Sequence, residues 1–153
     1  MKVGRISVDM KPINQILKDK GLTPGGAVQT FHTANVLRRI QRYMPYRTGM
    51  MIKRMEIATD VNVPEIVVPG PEARYTYFGK KMVDSATGRG PFPTKDGPRY
   101  HSGAVLMATE IPLNYTKTKN PLAGPFWDKR LVAAEGKAMT QDLQRFIDRR
   151  AGK

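Results

Sequence analysis

The chain has 153 residues, enough for one domain that buries roughly 70% of its unfolded surface. It has no cysteine, which excludes disulfides, thiolate chemistry and Cys-based metal sites together. Twenty-six Lys and Arg against 13 Asp and Glu leave a net charge of +13, which favours acidic partners: nucleic acid, an anionic surface or an acidic protein.

No apolar run is long enough to cross a bilayer, and the first ten residues hold no apolar stretch of signal-peptide length. The expectation is a soluble protein made in the cytoplasm. Twelve prolines and 14 glycines in so short a chain imply long connections. The basic residues run through the whole chain in short clusters, with no polybasic tail, so a solvated basic surface stands beside a true electrostatic interface as an explanation.

In chain order, Val3, Ile6 and Val8 suggest a short strand over 3–8, with Asp9 as a cap for the next segment. Ile13, Ile16 and Leu17 have helical spacing, and Gly21 is a natural C′ residue, so 11–20 reads as a short helix. Thr23 can cap and Pro24 suits a first helical turn. From there Val28, Phe31, Val36, Leu37, Ile40 and Met44 recur with a helical period. Pro45 lacks a donor and drives Met44 out of the α region, so this long helix stops there. Arg38, Arg39 and Arg42 lie near its C-terminus, where the macrodipole favours cations.

The stretch Tyr43-Met44-Pro45-Tyr46-Arg47-Thr48-Gly49-Met50-Met51 then reads as a corner, with Gly49 at a positive φ and a strand to follow. Two strands are expected, 50–62 and 65–68, antiparallel neighbours by their punctuation at Pro64 and Pro69-Gly70. Pro71 can open a helical turn that Gly79 closes, with Tyr75 and Phe78 on one face. Residues 80–103 are mostly Gly, Pro, Ser, Thr, Lys and Asp and read as a long extended loop or arm. Its apolar residues Met82, Val83, Phe92 and Tyr100 are spaced like anchors for a partner. Residues 104–118 could pair as a strand broken at Pro112, and 120–125 form a turn cluster. Trp127, Leu131, Ala134, Ala138, Leu143, Phe146 and Ile147 then mark a terminal amphipathic helix to about residue 150.

Chemistry needs a constellation, and the sequence offers none. His32 and His101 are single and far apart, and neither a His-Glu-x-x-His nor a Gly-x-Ser-x-Gly pattern occurs. Gly79-Lys80 is preceded by Arg74 where a phosphate loop requires glycine, and Gly88-Arg89-Gly90 is too short for a dinucleotide fingerprint. No catalytic, cofactor-binding or metal residues are therefore expected. Zinc-finger spacing and an aromatic RNA-binding pattern are also missing.

Four clusters, taken in order, do match a pattern: 17–29 (LKDKGLTPGGAVQ), 43–49 (YMPYRTG), 73–79 (ARYTYFG) and 123–130 (AGPFWDKR). Together they resemble the minor capsid proteins of tailed bacteriophages, a group that looks related to neck or tail-completion proteins. The likeness covers nearly the whole chain except 80 to about 102. It implies a single α+β domain over 1–153, with a small mainly antiparallel sheet packed against the long N-terminal-half helix and the C-terminal helix. It also implies a non-enzymatic virion protein, assembled in the host cytoplasm into a ring of sixfold or twelvefold order at the head-tail junction. Its neighbours would be connector or stopper proteins and the tail terminator or tail tube, with genome DNA in transient contact and no membrane. The resemblance implies architectural roles for the matching positions: Gly49 and Gly79 set turns, Tyr46 and Tyr75 pack at corners, Trp127 anchors the last helix, and Pro45, Arg47 and Phe78 belong to the same structural motifs. The alternative is a non-specific basic nucleic-acid-binding protein.

Overall fold

The computed structural model describes residues 13–96 and 98–152, so the strand expected over 3–8 and the Asp9 cap lie outside the described residues. Helix α1 (Ile13–Asp19) ends where Gly21 takes φ +72°. There Leu22 N–H donates to the Leu17 carbonyl at 2.8 Å and Gly21 N–H to the Lys18 carbonyl at 3.0 Å, the paired bonds of a Schellman ending. Helix α2 (Ala27–Ile40) starts later than Thr23-Pro24 suggests, because those residues form a turn in which Gly26 N–H donates to the Thr23 carbonyl. Gly26 is the N-cap, and a Cβ on it would meet the Gly21 carbonyl oxygen at 2.5 Å. The helix tightens into a 3-10 turn (Gln41–Tyr43) and stops as expected, with Met44 extended before Pro45.

The next segment corrects the sequence reading. Residues 50–58 are helix α3 (Met50–Ala58), not a strand. Met51, Ile52 and Met55 are buried, a spacing that only a helix places on one side, and Met, Lys, Arg, Glu and Ala favour helix. Residues 65–68 are extended but lie in no strand ladder among the described residues, and the expected 50–62/65–68 pair does not form. Helix α4 (Pro71–Phe78) follows and ends at Gly79, φ +70°.

Strand β1 (Lys80–Asp84) and strand β2 (Leu106–Pro112) form a two-stranded antiparallel sheet, with Met82 opposite Ala108 and a bulge between Lys80 and Met82. The segment expected to be loop from residue 80 thus begins as a strand. Pairing with β2, not turn composition, decides this, and it turns Met82 and Asp84 inward. Helix α5 (Trp127–Ala151) closes the chain.

The fold is α+β, but its core is helical. Ile40, Tyr43, Met44, Met51, Ile52, Met55, Trp127, Leu131 and Met139 form the buried cluster, and Ile66, Val68, Ala73 and Tyr77 pack on its edge. Helices α2 and α5 lie against each other, with Phe31 and Phe146 stacked at 4.3 Å. The sheet contributes no residue to that buried cluster and adjoins the body through α4.

Candidate functional site

Three of the four sequence clusters meet in space. The 123–130 segment crosses both of the others: Gly124 N–H donates to the Tyr43 carbonyl at 3.3 Å, and Phe126 N–H to the Tyr77 carbonyl at 2.8 Å. Asn120 Nδ2 donates to the carbonyls of Gln41 and Met44 at 2.8 and 2.9 Å, which satisfies the end of the broken helix.

Tyr77 is the hub. Its ring meets Phe78, Phe126 and Trp127 edge-on at 5.2, 5.3 and 5.1 Å, and its hydroxyl donates to Asp128 Oδ1 at 2.8 Å. That bond to the Asp128 carboxylate, followed by burial, raises the Tyr77 phenol above its ordinary pKa. Phe126 holds the left-handed conformation at φ +51°, unusual for a bulky side chain, and sits as the N-cap of α5. Tyr77, Asn120 and Phe126 escape the sequence reading because each acts through a backbone group or a residue remote in sequence.

The other anticipated positions fall around this junction. Gly49 has φ +78°, and a Cβ there would meet the Tyr46 hydroxyl at 2.7 Å. Tyr46 packs against the core under Lys119, whose Nζ lies 5.3 Å from its ring centre. Pro45 is half-buried and Arg47 is exposed. Tyr75 is half-buried, and burial raises its phenol pKa, with Glu72 adding to the rise and Arg47 opposing it. Phe78 is 51% exposed. A Cβ on Gly79 would meet Pro125 Cβ at 2.8 Å, so glycine permits both the turn and the crossing. Trp127 is buried in the core at 4% exposure.

A second cluster joins α2 to α5. Arg39 reaches Glu135 and Asp142, each at 2.6 Å, Arg42 also pairs with Glu135, and Tyr43 donates its hydroxyl to Glu135 Oε2 at 2.7 Å. Asn35 Nδ2 donates to Asp142 at 3.0 Å. Burial pushes the Glu135 carboxyl up, but the Tyr43 hydroxyl and the two guanidiniums outweigh it and hold the carboxyl below its ordinary range. The Arg39 hydrogen bond, then that of Asn35, lowers Asp142 likewise. Arg39 and Arg42 therefore have specific carboxylate partners beyond the helix dipole, and the cluster is an interhelical clamp.

The proposed anchors divide. Met82 is enclosed in the protomer, Val83 is half-buried, and the Tyr100 hydroxyl is spent on the Met82 carbonyl at 2.7 Å. Burial also raises the Tyr100 pKa. Met82 is thus not available for docking, because β-pairing turns it inward. Phe92 is 40% exposed, beside the His101 ring at 4.8 Å and bridged to Arg99. His32 is half-buried, and its Nδ1 has no hydrogen-bond partner among the described residues.

Among the described residues, no group of three or more His, Asp or Glu is placed to hold a metal ion, and no helix is long and apolar enough to cross a membrane. No protein-family model, curated protein or solved structure matches this chain.

Proposed function

We propose that the chain is a structural protein of a tailed-phage virion, a subunit of a ring at the head-tail junction through which DNA passes. One observation carries the reading. The clusters 43–49, 73–79 and 123–130, which bear the phage resemblance, interlock through Gly124–Tyr43 and Phe126–Tyr77 backbone bonds and a shared aromatic contact. Their residues serve turns, helix ends and packing, as an architectural role requires. The neighbours would be a connector or stopper on one side and a tail terminator or tail tube on the other. The positive charge suits acidic protein neighbours better than firm DNA contact, because each neutralised phosphate adds affinity and would retard a passing genome.

Light scattering and negative-stain microscopy of the purified chain, with and without duplex DNA, test this. Symmetric ring assemblies that form without DNA are expected. A chain that is monomeric at every concentration, and whose DNA affinity falls steeply with salt, would refute it in favour of non-specific nucleic-acid binding.

A further inference from the structure

The two edges of the small sheet are treated differently. On the β1 side the chain covers its own edge: Asp84 N–H donates to the Arg89 carbonyl at 2.8 Å, Gly88 N–H to the Asp84 carbonyl at 2.7 Å, and the Tyr100 hydroxyl to the Met82 carbonyl. The β2 side is bare. Ser85 N–H donates to the Val105 carbonyl at 2.8 Å, so Val105 and, two residues on, Met107 turn their backbone groups towards β1. Leu106 and Ala108 alternate with them and turn theirs outward, where no described residue meets them. Beside this edge Val105, Met107 and Ile111 are 70%, 50% and 54% exposed. A two-stranded ladder with a bare apolar edge is a template for another strand.

The same chain carries a second bare edge. Residues 65–68 are extended, and the Thr59 hydroxyl takes up both backbone groups of Val67, at 3.1 Å to its N–H and 3.4 Å to its carbonyl. Those of Ile66 and Val68 point to the other side and have no partner among the described residues. Ile66, Val67 and Val68 are β-branched, yet this segment lies in no ladder among the described residues. Prolines at 64 and 69 bound this edge, and Pro112 ends β2, so both edges are short.

Charge matches the two. From 55 to 73 the chain has Glu56, Asp60, Glu65 and Glu72 and no Lys or Arg, in a protein of net charge +13; Glu72 pairs with Arg54 of its own protomer, which leaves Glu56, Asp60 and Glu65 as the acidic charge of the segment. The 80–112 hairpin has five Lys and Arg against Asp84, Asp96 and Glu110. Copies of so basic a protein repel one another, and the pairing of this acidic face with that basic hairpin reverses the sign locally.

We infer that the β2 edge of one copy pairs with residues 65–68 of the next. The contact is head-to-tail, because the two half-sites differ, and such a contact generates a ring where the rotation closes. It takes from the ring reading only the identity of the neighbour, a second copy of this chain.

The chain has no cysteine, so introduced thiols report without background. Val67→Cys and Ala108→Cys chains are prepared separately, mixed, and treated with a short bifunctional thiol crosslinker. Linked dimers are expected from the mixture and from neither variant alone, and a ladder of oligomers from the double variant. Ala108→Pro deletes an outward N–H at an edge-strand position of the kind that tolerates proline, so it should leave the protomer's melting midpoint nearly in place and abolish assembly by light scattering. Ala108→Cys chains that link to one another show β2–β2 pairing and overturn the inference, as does assembly that survives Ala108→Pro. Assemblies without the mixed link overturn this contact but leave the ring reading standing. A chain monomeric throughout overturns this contact, and it overturns the ring reading as well where its DNA affinity also falls steeply with salt. A ladder that forms open filaments supports the contact and refutes the ring.

Discussion

Trp127→Ala is the sharpest probe of how the molecule is held together. Trp127 is 4% exposed, shares the core with Leu131 and Met139, and meets the Tyr77 ring edge-on at 5.1 Å. Truncating a buried tryptophan costs roughly 3–5 kcal/mol, from lost transfer energy and the cavity left behind. For a domain of this size each kcal/mol moves the melting midpoint by about 2–4 °C, so the expected fall is roughly 6–20 °C. Far-UV circular dichroism is the assay, since the substitution removes the only tryptophan and with it the indole fluorescence. In the unsubstituted chain that fluorescence should start at short wavelength and shift red at the same midpoint as the dichroism. Trp127→Phe refills most of the space and keeps an aromatic edge for Tyr77, so it should recover part of the loss. A midpoint moved by less than about 2 °C in the alanine variant, under 1 kcal/mol, would refute the reasoning and place the indole in an interface or in solvent.

Three further outcomes are expected. Gly49→Val should destabilise by more than about 1–2 kcal/mol, the strain of a left-handed conformation, because its Cβ also meets the Tyr46 ring; an unchanged urea midpoint would contradict the turn. Asn120→Ala should cost about 1–3 kcal/mol by leaving the Met44 carbonyl unpaired and the Gln41 carbonyl with the Met44 N–H alone, read as a shift in thermal midpoint. The Glu135 and Asp142 carboxyls titrate lower in the folded chain than in the unfolded one, so the unfolded chain binds more protons as pH falls through the carboxylate range. The clamp's contribution is complete above the ordinary carboxylate pKa, about 4, and is lost as pH falls through the folded values. Glu135→Gln should flatten the acid limb of a stability-pH curve and lower the plateau at neutral pH; an acid limb of unchanged slope would show that the pairing with Arg39 and Arg42 does not bear on folding.

Local rules of the chain determined much of this molecule. Proline and glycine act on φ within one or two residues, so the stop at Pro45, the Schellman ending at Gly21, and the left-handed turns at Gly49 and Gly79 were legible without tertiary information. So was α5, whose apolar stripe is long enough for its period to be unmistakable. Short apolar segments were not. Residues 50–58 are rich enough in apolar side chains to read as a strand, and only the position of the core selects the helix, by burying Met51, Ile52 and Met55 together. Residues 65–68 have strand composition, but a ladder needs a second strand, and among the described residues only the Thr59 hydroxyl meets the backbone of Val67. Residues 80–84 have loop-like neighbours, and pairing with a strand more than twenty residues away decides their state. The junction around Tyr77 and the Arg39–Glu135–Asp142 clamp join residues some 50 to 100 positions apart. Sequence shows that such side chains exist; the packing of α5 on α2 and α4 decides which of them meet.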